Sequence, residues 1–223
     1  DAKIKWEETS TFNIGLDFGF LDEKISGTFD VFNRKTSDMI GNVAVAAGSN
    51  FSNYLITNVG DMKISGYEIG VNYNPVRTSD VDVNIGLNFT RLNSEITNLT
   101  KTEDPDFFVS TGGISGGVGN NIQRHAVGQA PYTFFTFQQV YDANGMPIEG
   151  LYVDRTGLGG SVISNENNKY YNKKPMADYL IGINSRVNYK KVDFSFSGRV
   201  SLGNYVYNNV LSANAVNNQI YNQ

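Results

Sequence analysis

The chain has 223 residues, a formal net charge of -4, a single histidine and no cysteine. This excludes a disulfide framework, a thiolate metal site and a cysteine nucleophile, and it argues against a histidine-based hydrolase and against nucleic acid as a partner. Mean hydropathy is -0.31, and no apolar run is long enough for a membrane-spanning helix. A β-barrel stays open, because its alternating strands average out as polar.

The 14 Phe, 13 Tyr and 23 Gly suit β-structure with wet loops. No signal peptide stands at Asp1, as expected of a processed chain or of one that starts within something longer.

The first predicted hairpin has Phe12, Ile14, Leu16, Phe18 and Phe20 alternating with Asn13, Gly15, Asp17 and Gly19. After the turn Leu21–Lys24, Ile25, Phe29 and Val31 continue the apolar face against Ser26, Thr28 and Asp30. A long connection is expected over about 38–61. In the second hairpin Tyr67, Ile69, Val71 and Tyr73 lead into a turn at 74–80, and Val81, Val83, Ile85, Leu87 and Phe89 return on the same face. Glu68, Asn72, Asp82, Asn84 and Asn88 occupy the other face.

A longer connection is expected over about 95–176. Its glycine-rich stretch Gly112–Gly119 lacks the strand-to-helix setting of a phosphate loop and reads as a flexible external loop. Its run Pro131–Phe137 gathers aromatics, and Asp142–Gly145 reads as a hairpin turn. His125 has no acidic or histidine neighbours in sequence and reads as structural.

The third hairpin is the most specific. With Lys190-Lys191 as its turn, Val187 falls opposite Phe194, Ile181 opposite Val200, Arg186 opposite Ser195 and Asn188 opposite Asp193. Both faces stay consistent through that register. A polar tail begins near 207.

Alternation alone fits a soluble antiparallel sandwich as well as a barrel wall. Short turns at one end and long connections at the other favour an all-β, antiparallel transmembrane barrel segment of about six strands. In a barrel, Arg or Lys at mid-bilayer on the lipid side costs roughly 2–4 kcal/mol. Arg186 and Arg199, with Glu68, Asp82 and Asp193, are therefore expected to face the lumen. Tyr73 and Tyr189, beside the short turns, suit an interfacial aromatic girdle.

Beyond the rhythm, the wording of the sequence resembles SusC/RagA-family TonB-dependent outer-membrane transporters. The resemblance lies in Ile4–Phe20, Asp30–Met39, Asn58–Met62 leading to Gly66-Tyr67-Glu68, His125–Gln129, Pro147–Asp154 and Ser201–Asn208, in family order. It implies that residues 1–223 are part of one 22-stranded barrel, from its C-terminal half, with the N-terminal plug and the closing strands outside this sequence. A chain stopping at Asn222-Gln223, where such barrels end on an aromatic residue, agrees with that expectation.

The resemblance further implies a SusD-like surface lipoprotein as lid, energy from the TonB complex through the plug, and an oligomeric substrate, most often a glycan and in some members a peptide. Many relatives carry a calcium-like loop where this chain reads Tyr152–Gly160. Only Asp154 remains as a clear oxygen ligand there, beside Arg155 and Leu158, so no metal is expected. Tyr132, Phe134, Phe135 and Phe137 are the candidate substrate contacts; packing of the loop is the competing role for the same rings. No catalytic residue, enzyme activity or cofactor is expected. The alternatives are a soluble β-sandwich binding or adhesion module and, less well supported, a secreted hydrolase or a complete small barrel.

Overall fold

The computed structural model describes residues 3–44, 48, 51–116, 120–157 and 166–214. Part of the glycine-rich stretch (Gly117–Gly119), the end of the calcium-like loop (Leu158–Gly160) and the chain end Asn222-Gln223 lie outside the described residues. Four long strands come first: β1 (Glu8–Phe20), β2 (Ile25–Ala44), β3 (Tyr54–Arg77) and β4 (Val81–Asn98). A connection follows that holds β5 (Phe108–Gly113), β6 (Asn121–Ala126), β7 (Thr133–Thr136), β8 (Gln139–Tyr141), β9 (Pro147–Tyr152) and β10 (Tyr170–Tyr171). The strands β11 (Tyr179–Tyr189) and β12 (Val192–Leu202) and a short helix α1 (Asn209–Asn214) complete the chain.

Six strands form one antiparallel sheet in the order β1-β2-β3-β4-β11-β12. The three short turns all lie at one end of it. Leu21, Asp22 and Glu23 make the first with left-handed backbone, and Lys190 does the same in the third. In the second, the Thr78 N–H donates to the Val81 carbonyl over 2.7 Å. The register of β11 on β12 is the one the sequence dictates, with Val187 against Phe194 and Arg186 against Ser195.

Two expectations need correction. Strands of the roughly 9–11 residues that a bilayer needs are what a barrel wall leads one to expect, but β2 has 20 residues and β3 has 24. Nor is 38–61 a loop for most of its length, since Ile40–Ala44 pairs with Asn58–Tyr54 beyond an irregularity at Thr36–Ile40. The irregularity is a bulge in which Asp38 has φ of 57°. Neighbours pin it on every side: the Asn58 side-chain amide donates to the Asp38 carbonyl over 2.6 Å, the Asp38 N–H donates to Asp61 Oδ1 over 3.2 Å, and Lys5 Nζ pairs with the Asp38 carboxylate at 3.2 Å. Three sequence blocks far apart in the chain thus meet at one bulge, which bends the strand pair where it is locally overdetermined.

The register divides the sheet into two zones of opposite polarity. From the turn end, one face carries the rows Val81/Tyr189/Val192, Val83/Val187/Phe194, Leu87/Ile183 and Ile69/Phe89/Ile181/Val200. The last row of this zone is Ile14, Val31, Tyr67, Arg91, Tyr179 and Leu202. The row above it is polar except at the edge: Phe12, Asn33, Ser65 and Asn93. With about 3.3 Å per residue and a tilt near 40°, the rise from Val81 to Arg91 is about 25 Å, the height of a barrel's apolar band.

Within the band the side chains are uncovered: Leu16 is 62% exposed and Phe194 is 65% exposed. No second sheet lies over them among the described residues. Above the band the polarity reverses. Lys63 and Glu95 point outward and are exposed, while Ser94 and Ile96 are buried at 6% and 3%. The buried apolar side chains of the described residues are Val59 and Ile96, on the upper part of β3–β4, and Ala126 and Phe134, in the connection.

The aromatic row Phe29, Tyr67, Phe89 and Tyr179 runs along the upper edge of the band, with ring centroids 5.9–6.5 Å apart. Tyr73 and Tyr189 stand exposed at its lower edge. Rings at both borders match the two interfacial girdles of a membrane barrel. At Gly27, backbone and side chain leave no space for a Cβ: it would meet the Gly70 carbonyl, and the Phe18 ring lies over the position at 2.6 Å. An aromatic ring laid across a neighbouring glycine stabilises a twisted sheet at such a point.

Candidate functional site

The face opposite the apolar band carries the five charged residues expected there, in three groups. Near the turns, Arg186 Nε–H donates to Asp193 Oδ2 over 2.8 Å, and Asp82 stands opposite Asn188 one step away. Higher up, Arg199 lies opposite Gly182 and lines a shallow hollow of about 330 Å³ with Asn88 and Asn184. Glu68 lies between Asp30 and Thr90 in the next row. All five follow strand alternation, so the pleat, and no special contact, sets their direction.

The connection between β4 and β11 folds into a four-stranded sheet, β10-β7-β6-β5, with a separate β8-β9 hairpin. The Asp142 carboxylate accepts the N–H groups of Asn144 and Met146, and Gly145 takes φ of 80°, so the hairpin turn is where the sequence puts it. The connection returns onto the wall through the Ile96 N–H, which donates to the Gln129 carbonyl, and the Gly128 N–H, which donates to the Ile96 carbonyl.

The four candidate aromatics lie in or beside this small sheet, and their surroundings differ. Phe134 is buried, its backbone bonded to Lys173 and Asn172. Phe135 packs on Tyr171 at 4.9 Å and under the Arg124 guanidinium at 3.6 Å, whose other face covers Phe108 at 3.6 Å. Phe137 stacks on Tyr152 at 4.8 Å. Tyr132 is 47% exposed, has φ of 60° and meets the His125 ring edge-on at 4.4 Å. Desolvation holds the His125 imidazole below its ordinary value.

Sequence reasoning missed two features. One is a polar cleft of about 480 Å³ where the connection meets upper β4, lined among others by Glu95, Gln129, Asn172, Lys173, Asp178 and Tyr205. Its residues come from four separate segments, so no local pattern announces it. The other is Arg91, which continues the parity of Leu87 and Phe89 onto the apolar face and is legible from alternation alone. Asp154 is engaged in its own turn, its Oδ1 accepting the Thr156 and Gly157 N–H groups and the Thr156 hydroxyl.

Residues 1–217 match the family described as TonB dependent receptor-like, β-barrel. The chain is 44% identical over 216 residues to the TonB-dependent receptor SusC of Bacteroides thetaiotaomicron, covering 96% of this chain and 21% of that protein. It is 25% identical over 227 residues to the TonB-dependent receptor P3 of Formosa agariphila, covering 93% and 22%. Among solved structures, the RagAB peptide importer in its open-open state superposes with a TM-score of 0.70 at 20% identity, over 90% of this chain and 21% of that one. At that identity the likeness speaks for the fold. The chain thus spans about a fifth of the length of the relatives it matches. The chain belongs to the TonB-dependent receptor β-barrel family.

Proposed function

We propose that this chain forms part of the wall of a TonB-dependent importer in a bacterial outer membrane, and that the whole protein takes up an oligomeric nutrient, a glycan before a peptide. The observation that carries the reading is the uncovered apolar band, about 25 Å high, with short turns below it and a folded insert above it. In this reading Glu68, Asp82, Arg186, Asp193 and Arg199 face the lumen, where they meet the plug or the substrate path. The insert and the upper β2–β3 hairpin form the outer mouth, beneath a SusD-like lipoprotein lid, and the TonB complex acts through the plug. The process is binding and gated passage, with no covalent chemistry.

The glycan assignment is supported by the polar cleft beside Tyr205 and by the exposed Tyr132 ring, since hydroxyl-rich ligands combine hydrogen bonding with stacking on aromatic faces. The peptide reading has its own support in the fold shared with the RagAB peptide importer. In cells carrying the full-length protein, uptake of labelled oligosaccharides is compared with that of labelled oligopeptides, with TonB present and absent. TonB-dependent oligosaccharide uptake supports the proposal; oligopeptide uptake alone replaces the substrate class; uptake that ignores TonB overturns the mechanism. Tyr132→Ala is expected to weaken uptake while surface levels stay normal. Loss of surface protein in Phe135→Ala would assign that ring to packing.

A further inference from the structure

Just above the apolar band, the outward face carries an unusual cross-strand pair. Lys35 and Lys63 stand directly opposite each other, with Ser10 and Glu95 completing the row. Like charges in that position repel. Both lysines are exposed, and neither forms an ion pair with a described residue. Two rows lower, about 13 Å along the strands, Arg91 stands on the same face at the border of the band, its guanidinium 5.7 Å from the Tyr179 ring.

Below and between these cations lies a groove of about 460 Å³. Ile14, Val31 and Tyr67 line its lower part, and Asn33, Ser65 and Asn93 its upper part. The groove is therefore apolar toward the bilayer centre, hydrogen-bonding at the border and net cationic above it, where the two lysines outnumber the one carboxylate, Glu95 opposite Lys63. That order of chemistry matches one kind of occupant: acyl chain, then ester or sugar, then phosphate.

We infer that this outer surface of β1–β4 is a binding site for an anionic, phosphate-bearing lipid of the membrane leaflet farther from the short turns. The headgroup phosphate lies between Lys35 and Lys63 and relieves their repulsion. Arg91 reaches the same headgroup from below, and an acyl chain lies along Ile14, Val31 and Tyr67. The inference rests on the membrane placement proposed above and adds a ligand to a surface outside the transport path.

The test uses the full-length transporter in phosphatidylcholine nanodiscs containing a minor fraction of phosphatidylglycerol, followed by native mass spectrometry of the released protein. Wild type is expected to retain phosphatidylglycerol over phosphatidylcholine. A cation close to an anionic lipid surface contributes a factor of about five each, so the double variant Lys35→Gln/Lys63→Gln is expected to bind it roughly 25-fold more weakly. The double variant Lys35→Arg/Lys63→Arg keeps the charge and is expected to keep the lipid. Equal retention by wild type and the glutamine variant, or no preference for the anionic lipid, overturns the inference. A nitroxide on Leu16→Cys in the same nanodiscs separates the two levels: if it reports lipid contact while the preference is missing, this site alone fails. If it reports water, the membrane placement fails with it.

Discussion

Leu87 offers the sharpest test of the membrane placement. It lies on the apolar face, 46% exposed, with Val71 and Ile183 beside it. By the rise and tilt used above it stands about 15 Å above Val81 and about 10 Å below Arg91, close to the middle of the band. Leu87→Arg therefore places a guanidinium near the midplane, at about 2–4 kcal/mol. The adjacent Asn88 points to the opposite face, so Asn88→Arg is expected to cost less than about 1 kcal/mol. Val81→Arg, at the lower border, is expected to cost about 0–1 kcal/mol. The assay is the denaturant midpoint of the full-length protein folded into phospholipid vesicles, with the slope checked for constancy. A graded series, with Leu87→Arg well below the other two, is expected. Equal effects at Leu87 and Asn88 would refute the assignment of faces, and equal effects at Leu87 and Val81 would refute the depth scale.

Gly27→Ala is expected to destabilise the wall by about 1–3 kcal/mol through overpacking against the Gly70 carbonyl and the Phe18 ring. Gly19→Ala, whose nearest neighbour is Glu23 Cγ at 4.0 Å, is the near-neutral control in the same assay. Arg124→Lys keeps the charge but loses the flat guanidinium between Phe108 and Phe135, so hydrogen exchange in β5–β7 should rise as if about 1–2 kcal/mol had been lost. His125 has a folded-state pKa below its ordinary 6.5, so the folded state binds fewer protons than the unfolded one. Its contribution is full above 6.5 and falls as pH drops through 6.5 toward the lower folded value. Protection of β6, taken relative to the intrinsic exchange rate at each pH, should therefore fall between pH 7 and pH 5 in wild type, and less so in His125→Gln.

The three hairpins were legible because their alternation and short turns agree. At Lys190-Lys191 the two faces admit one register, and the structure has it. The upper β2–β3 pairing was not legible, for a physical reason. Above the row of Tyr67 and Arg91 the buried face is the opposite one, so Lys63 and Ser65 read as the end of a strand when they are its continuation. The bulge at Asp38 breaks the period at the same place. The small strands of the insert run from two to six residues, too short for a period to show. Glu68, Asp82, Arg186, Asp193 and Arg199 were assigned to the polar face by parity alone, whereas the polar cleft joins segments that only the fold brings together.

The seam between β4 and β11 bears on how such a wall assembles. Each hairpin closes through a tight turn, but this seam must bring together strands separated by residues 99–178. Closing a connection of that length from a flexible state costs about 2–3 kcal/mol more entropy than closing a tight turn. An insert that folds before the seam closes is expected to offset much of this. Its Gln129 and Gly128 dock on Ile96, and the Leu92 N–H donates to the Asp178 carbonyl where β11 begins. The insert is thus a splint that delivers β11 to β4 at one end. On that order the remaining pairs are expected to close in sequence from Arg91–Tyr179 toward Val81–Tyr189, and damage within the insert is expected to slow the closing of the wall more than it weakens the wall once closed.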